Sequence, residues 1–140
     1  MKALAIWLGI VVVVIGTFSV GYHLWRSSNP DRVLVVVDTS FPMEEVWRQV
    51  PAELDDIDDR RYAEFALVTE KEAIHSWSDS LDLGDVTPYA PRDFSAFTGG
   101  DTYPEFDEAT EVILITDAAP SEVEGIADWE VVQLQPATAG

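Results

Sequence analysis

The stretch Val33-Leu34-Val35-Val36-Val37-Asp38-Thr39-Ser40 decides the fold. Its apolar run is too short for a helix of its own and is apolar on both faces, the pattern of a central parallel strand covered on two sides. The run stops at Asp38. Glu111-Val112-Ile113-Leu114-Ile115-Thr116 repeats the pattern and stops at Asp117. Between the two runs, Val46, Val50, Leu54 and Ile57 recur at near-helical spacing. This predicts a helix capped by Ser40, with Pro42 in its first turn, running to about Ile57 and kinked or split at Pro51. The acidic tract Asp55 to Asp59 opposes the helix dipole and marks its end. Tyr62–Thr69 and Ala73–Trp77, separated by Glu70-Lys71-Glu72, form an antiparallel hairpin. Residues 79–110 are dense in Asp, Gly, Pro and Thr; short helical turns near Arg92–Phe97 and Pro104–Ala109, or a functional loop, are expected there. Ser121 and Glu124 suggest a capping box for a helix to about Asp128, and Trp129–Leu134 is a last strand. Strand, helix, hairpin, irregular segment, strand, helix, strand is the order of an α/β fold, a mainly parallel sheet with one antiparallel member.

Outward from this core the chain changes character. All 26 acidic residues lie from Asp31 onward, and six bases against them leave that segment a formal charge of −20. Such a surface repels phosphate backbones and excludes nucleic acid as a partner. The chain has no cysteine and two histidines, His23 and His75, so disulfides, thiolate chemistry and histidine-rich metal sites are excluded. Before Asp31 there is no acid, and Ala3 to Tyr22 carries no formal charge. That apolar run is long enough to cross a bilayer, with Trp7, Tyr22 and Trp25 near its ends. A cleaved signal peptide is the competing reading, with Ser19-Val20-Gly21 as its only small-x-small site. The organisation expected is a transmembrane signal-anchor over residues 1–26, a linker over 27–31, the α/β domain over 32–134 and a tail over 135–140. The chain then is a single-pass membrane protein with its acidic domain outside the cytoplasm.

In an open α/β sheet, ligands collect at the carboxyl ends of the strands where strand order reverses. Asp38 and Asp117 sit at such ends, and Ser40 adds a hydroxyl two residues on. Two carboxylates and a hydroxyl are the hard oxygen ligands that Mg²⁺ prefers. Strand-end aspartates also cap the helices that follow them, with no metal involved.

Val35-Val36-Val37-Asp38-Thr39-Ser40-Phe41-Pro42-Met43 resembles the first metal-site loop of von Willebrand factor A (VWA) domains, in which a strand leads into Asp-x-Ser-x-Ser. Ile113-Leu114-Ile115-Thr116-Asp117 is similar to their later strand, which ends in Thr-Asp-Gly. Phe65 to Leu81 resembles the hairpin that follows the first helix of that fold, and Gly99 to Phe106 resembles a Gly-Gly-Thr-Asp-Phe loop that supplies a threonine ligand. The resemblance implies a Rossmann-like VWA-type sheet and a metal-ion-dependent adhesion site. Its ligands would be Asp38 and Ser40, then Thr102 or its neighbour Asp101, then Asp117, with Mg²⁺ completing its shell with a carboxylate from a protein partner. Pro42 stands where the second serine belongs, and Ala118 replaces the glycine after Asp117.

The function expected is a membrane-tethered VWA-like interaction module that engages a protein partner, without catalysis and without a small-molecule substrate. The alternative is a metal-free, degenerate scaffold whose acidic face meets a basic partner. A phosphoryl-transfer enzyme is a third reading, weakened because Ser40 stands where a second aspartate belongs. Trp47, Trp77 and Trp129 read as packing residues, and His75 as a half-exposed strand residue.

Overall fold

A computed structural model of the chain describes residues 2–98, 103–126 and 129–136. It divides into two compact units that part after Pro30.

The first unit is the helix α1 (Lys2–Ser28). Its stretch Ile6–Ser28 has 23 residues and contains 18 consecutive ones with a mean hydropathy of 1.8. At 1.5 Å per residue it is about 35 Å long, against about 30 Å of bilayer hydrocarbon. It is therefore long and apolar enough to cross a membrane, a test that a signal sequence also passes. The helix outruns the expected anchor by two residues, Ser27 and Ser28, because polar side chains bond its last carbonyls. The Ser27 and Ser28 hydroxyls donate to the Leu24 carbonyl, and Asn29 Nδ2 donates to that of Trp25. The expected linker shrinks to Asn29 and Pro30, where proline prevents further helix.

In the second unit β1 (Asp31–Val37) is flanked by two parallel neighbours, β2 (Ala63–Thr69) and β4 (Glu111–Thr116). β3 (Ala73–Ser78) pairs antiparallel with β2, and β5 (Glu130–Gln133) pairs parallel with β4. The order is β3-β2-β1-β4-β5. The chain builds outward from β1 in one direction, then returns to build in the other, so strand order reverses between β1 and β4. This is the mainly parallel α/β sheet with one antiparallel member that the hydropathy pattern indicates.

Alternation along β1 divides the core into two layers. Val33, Val35 and Val37 face Met43, Val46, Val50, Leu54 and Ile57 on one side of the sheet. Leu34 and Val36 face Ala66, Val68, Leu114 and Phe97 on the other. The apolar stripe from Val46 to Ile57 is buried as its spacing requires, but not on one helix. Phe41–Glu45 and Trp47–Gln49 are 3₁₀ turns, and α2 begins at Val50 and ends at Asp58. Pro51 is the reason: it lacks an N–H and its ring blocks the carbonyl four residues back, yet it is tolerated in a first turn. Ser40 precedes the first 3₁₀ turn without a side-chain cap bond, contrary to the expected cap.

Among the described residues the opposite face carries no long helix. It is covered by α3 (Ser95–Thr98), α4 (Glu105–Glu108), α5 (Pro120–Val123) and a cluster of rings. Phe106 stacks on Trp129 at 5.3 Å between centroids, and Phe97 meets Trp129 edge-on at 5.9 Å. Trp47 packs in the first layer, Trp77 and Trp129 in the second. α5 starts one residue before Ser121, because Pro120 takes its first turn and Glu122 accepts the Ala119 N–H at 2.9 Å. The expected Ser121–Glu124 box does not form: Ala119 has no side-chain oxygen, so only the glutamate half of such a box is made, two residues earlier. Residues 127–128, and 137–140 of the tail, lie outside the described residues.

Candidate functional site

Asp38 is the residue after β1, and its backbone N–H extends the ladder by donating to the Ile115 carbonyl at 3.0 Å. That bond places it beside Thr116 and Asp117 at the end of β4. The Asp38 side chain is fully buried. Its Oδ1 accepts the Ser40 N–H at 2.8 Å, and its Oδ2 accepts the Thr116 hydroxyl at 2.6 Å. Thr116 Oγ1 in turn accepts the Ala118 N–H at 3.0 Å. The two aspartates that the strand pattern selects are thus brought to one point, at the reversal of strand order.

Arg92 joins them. Its Nε donates to Asp38 Oδ2 at 3.0 Å, its Nη2 to Asp117 Oδ1, and its Nη1 reaches Glu122 at 3.5 Å. The Arg92 side chain is 16% exposed and the Asp117 side chain 18%. Burial pulls the Arg92 pKa down, but the charges of Asp38 and Asp117 outweigh it, so the pKa is raised and the guanidinium stays charged. The residue arrives from the long segment after β3. Ser40 and Ala90 form a parallel bridge, in which the Phe41 N–H donates to the Ala90 carbonyl at 2.8 Å and the Tyr89 N–H to the Thr39 carbonyl at 2.9 Å. These bonds lay the segment along the first loop, and two residues later Arg92 reaches over both carboxylates.

Sequence reasoning from strand ends does not find Arg92, because nothing local marks it. One signal was available: from Glu72 to Gly140 it is the only lysine or arginine, set among 15 acids. A lone cation in so acidic a stretch has many carboxylates to choose from, and a fully buried one such as Asp38 gains most from it.

Ser40 lies at the same edge and is fully buried, and its hydroxyl has no partner among the described residues. Thr39 Oγ1 is likewise buried and unpartnered, while the Thr39 N–H donates to Glu70 Oε2 at 2.9 Å. Glu70 follows β2, is buried, and leaves Oε1 without a partner. Thr102 and Asp101, the expected second-loop ligands, lie outside the described residues. Among the described residues no group of three or more histidines, aspartates and glutamates is spaced to hold a metal ion. A divalent ion would need oxygens of Asp38 and Asp117 at about 2.1 Å. In the present arrangement that position belongs to the guanidinium, so the residues as placed do not fit the ion.

Beside Asp117 an open groove of about 570 Å³ is lined by Phe41, Pro42, Glu44, Glu45 and Asp117. Phe41 is 56% exposed there. The groove therefore combines three carboxylates with an exposed ring and a proline. His75 is half-buried on β3, with its Nδ1 against the Ser76 carbonyl at 2.9 Å, as its position in the hairpin suggested. Asp58 of the acidic tract accepts the Leu81 N–H at 2.8 Å and so ties α2 to the segment after β3.

Comparison with protein-family models, with curated proteins and with solved structures finds no match to this chain.

Proposed function

We propose that this chain is a membrane-tethered, VWA-like interaction module that docks a basic segment of a protein partner in the groove beside Asp117, without a metal ion. The observation that carries the reading is the composition and place of that groove: Glu44, Glu45 and Asp117 around Phe41 and Pro42, next to the reversal of strand order. Carboxylates beside an exposed ring suit a lysine or arginine side chain, whose charged head pairs with the acids while its stem lies on the apolar surface. The formal charge of −20 from Asp31 onward speeds encounter with such a partner. Support for the VWA-like assignment comes from the hairpin after the first helix and from the two aspartates at adjacent strand ends. α1 serves as a single-pass anchor, with the acidic domain outside the cytoplasm. A phosphoryl-acceptor role for Asp38 finds no support, since its carboxylate is fully buried and both oxygens already accept hydrogen bonds.

The test is binding of a fluorescent lysine-rich peptide to the full chain in zwitterionic micelles at physiological salt. Glu44→Gln/Glu45→Gln should weaken binding several-fold, while Asp55→Asn/Asp56→Asn, an equal charge change on α2, should not. Equal losses in the two pairs would mean diffuse attraction to an acidic surface and would remove the groove from the account.

A further inference from the structure

We infer that Arg92 is the resident cation of this sheet edge, a side chain that takes the position between Asp38 and Asp117 and thereby masks a divalent-metal site built from the same oxygens. The inference stands on Asp38, Ser40, Arg92 and Asp117, and holds whether or not the groove receives a basic segment.

Two carboxylates at adjacent strand ends repel each other, and the more buried one cannot be left without a counter-charge. Arg92 meets that need with geometry. Separate nitrogens of one planar fork engage Asp38 and Asp117, and a third reaches Glu122. A planar fork is suited to bridging carboxylates in this way, whereas an ammonium is a point charge. The bridge at Ser40 and Ala90 holds the backbone that delivers the fork, so the arginine is placed by the fold and is not a side chain drifting over an acidic surface.

Ser40 provides the second observation. Its hydroxyl is fully buried two residues from Asp38, bonds to nothing among the described residues, and is not used by Arg92. A buried hydroxyl without a partner is unfavourable by itself. With the guanidinium withdrawn, it joins the oxygens of Asp38 and Asp117 in a hard, all-oxygen donor set of the kind Mg²⁺ and Mn²⁺ take. Guanidinium and metal need the same carboxylate lone pairs, so each excludes the other.

The experiment is calorimetric titration of Mn²⁺ and Mg²⁺ into the full chain in zwitterionic micelles at fixed ionic strength, comparing wild type, Arg92→Ala and Arg92→Ala/Asp38→Asn. Wild type should show no saturable site. Arg92→Ala should gain one site, with affinity higher on the order of tenfold or more, and the double variant should lose it again. Arg92→Gln keeps donors and bulk at the position and repeats the test if the alanine variant does not fold. Circular-dichroism melting adds a readout independent of heat: Mg²⁺ should raise the Tm of the Arg92 variants above that in matched NaCl, and leave the wild-type Tm unmoved. The inference is overturned if wild type itself binds one ion that Asp38→Asn abolishes, if neither folded Arg92 variant gains a site, or if the gained site survives loss of Asp38.

Discussion

Replacing Asp38 by alanine should be among the most destabilising single changes in the domain. The carboxylate accepts three bonds, from the Ser40 N–H at 2.8 Å, the Thr116 hydroxyl at 2.6 Å and Arg92 Nε at 3.0 Å. Removing it strands two buried neutral donors, at roughly 1 kcal/mol or more each, and breaks a buried ion pair, for which removal of one partner costs about 3–5 kcal/mol. Arg92 keeps Asp117 and Glu122 as partners, so the ion-pair loss belongs at the low end of that range. A total of about 5 kcal/mol follows. At roughly 4 °C per kcal/mol for a domain of this size, Tm should fall by about 20 °C. Relief of acidic repulsion does not reverse the sign, because Asp38 is the charge Arg92 neutralises. The assay is urea unfolding of the full chain in micelles, followed by tryptophan fluorescence, with a double-mutant cycle on Asp38→Ala and Arg92→Ala. Coupling of about 2 kcal/mol is expected for contacting charged groups. A loss below about 1 kcal/mol for Asp38→Ala, or additive single losses, would show that the two side chains are not held together and would refute the reasoning.

Thr116→Val is nearly isosteric but deprives Asp38 of a donor and the Ala118 N–H of its acceptor, so a loss of about 2 kcal/mol is expected in the same unfolding assay. Trp129→Ala removes the ring that Phe97 and Phe106 pack on and should cost about 3 kcal/mol, with loss of near-ultraviolet circular dichroism from the cluster. Tyr103 is raised above its ordinary pKa, first by burial and then by the charges of Glu70, Tyr89, Glu72 and Glu105; Tyr89 is raised by burial, then by Glu72 and Glu70. A raised folded pKa means stability that is intact below about pH 10, where unfolded tyrosine titrates, and is lost as pH climbs through the folded values. Phenolate absorbance should therefore lag that of free tyrosine in the native protein, and Tyr103→Phe should reduce the alkaline loss of stability.

Much of this protein is determined by its sequence alone, because the physics involved is local. Val33–Val37 and Glu111–Thr116 are apolar on both faces, and only burial between two layers satisfies such segments. Pro51 forbids a continuous helix wherever the chain goes, and the apolar run near the N-terminus makes a long helix with few alternatives. That Asp38 and Asp117 come together was legible because strand ends at a reversal of order are neighbours in any sheet of this kind. The tertiary structure decided what happens between them. Arg92 is 54 residues from Asp38 and 25 from Asp117 along the chain, and its partners depend on a segment that has no periodicity of its own and is positioned by two backbone bonds to the first loop. Which carboxylates Arg92 selects among the 26 acids of the chain follows from distance and desolvation. Both exist only once β1, β4 and that segment have been brought together.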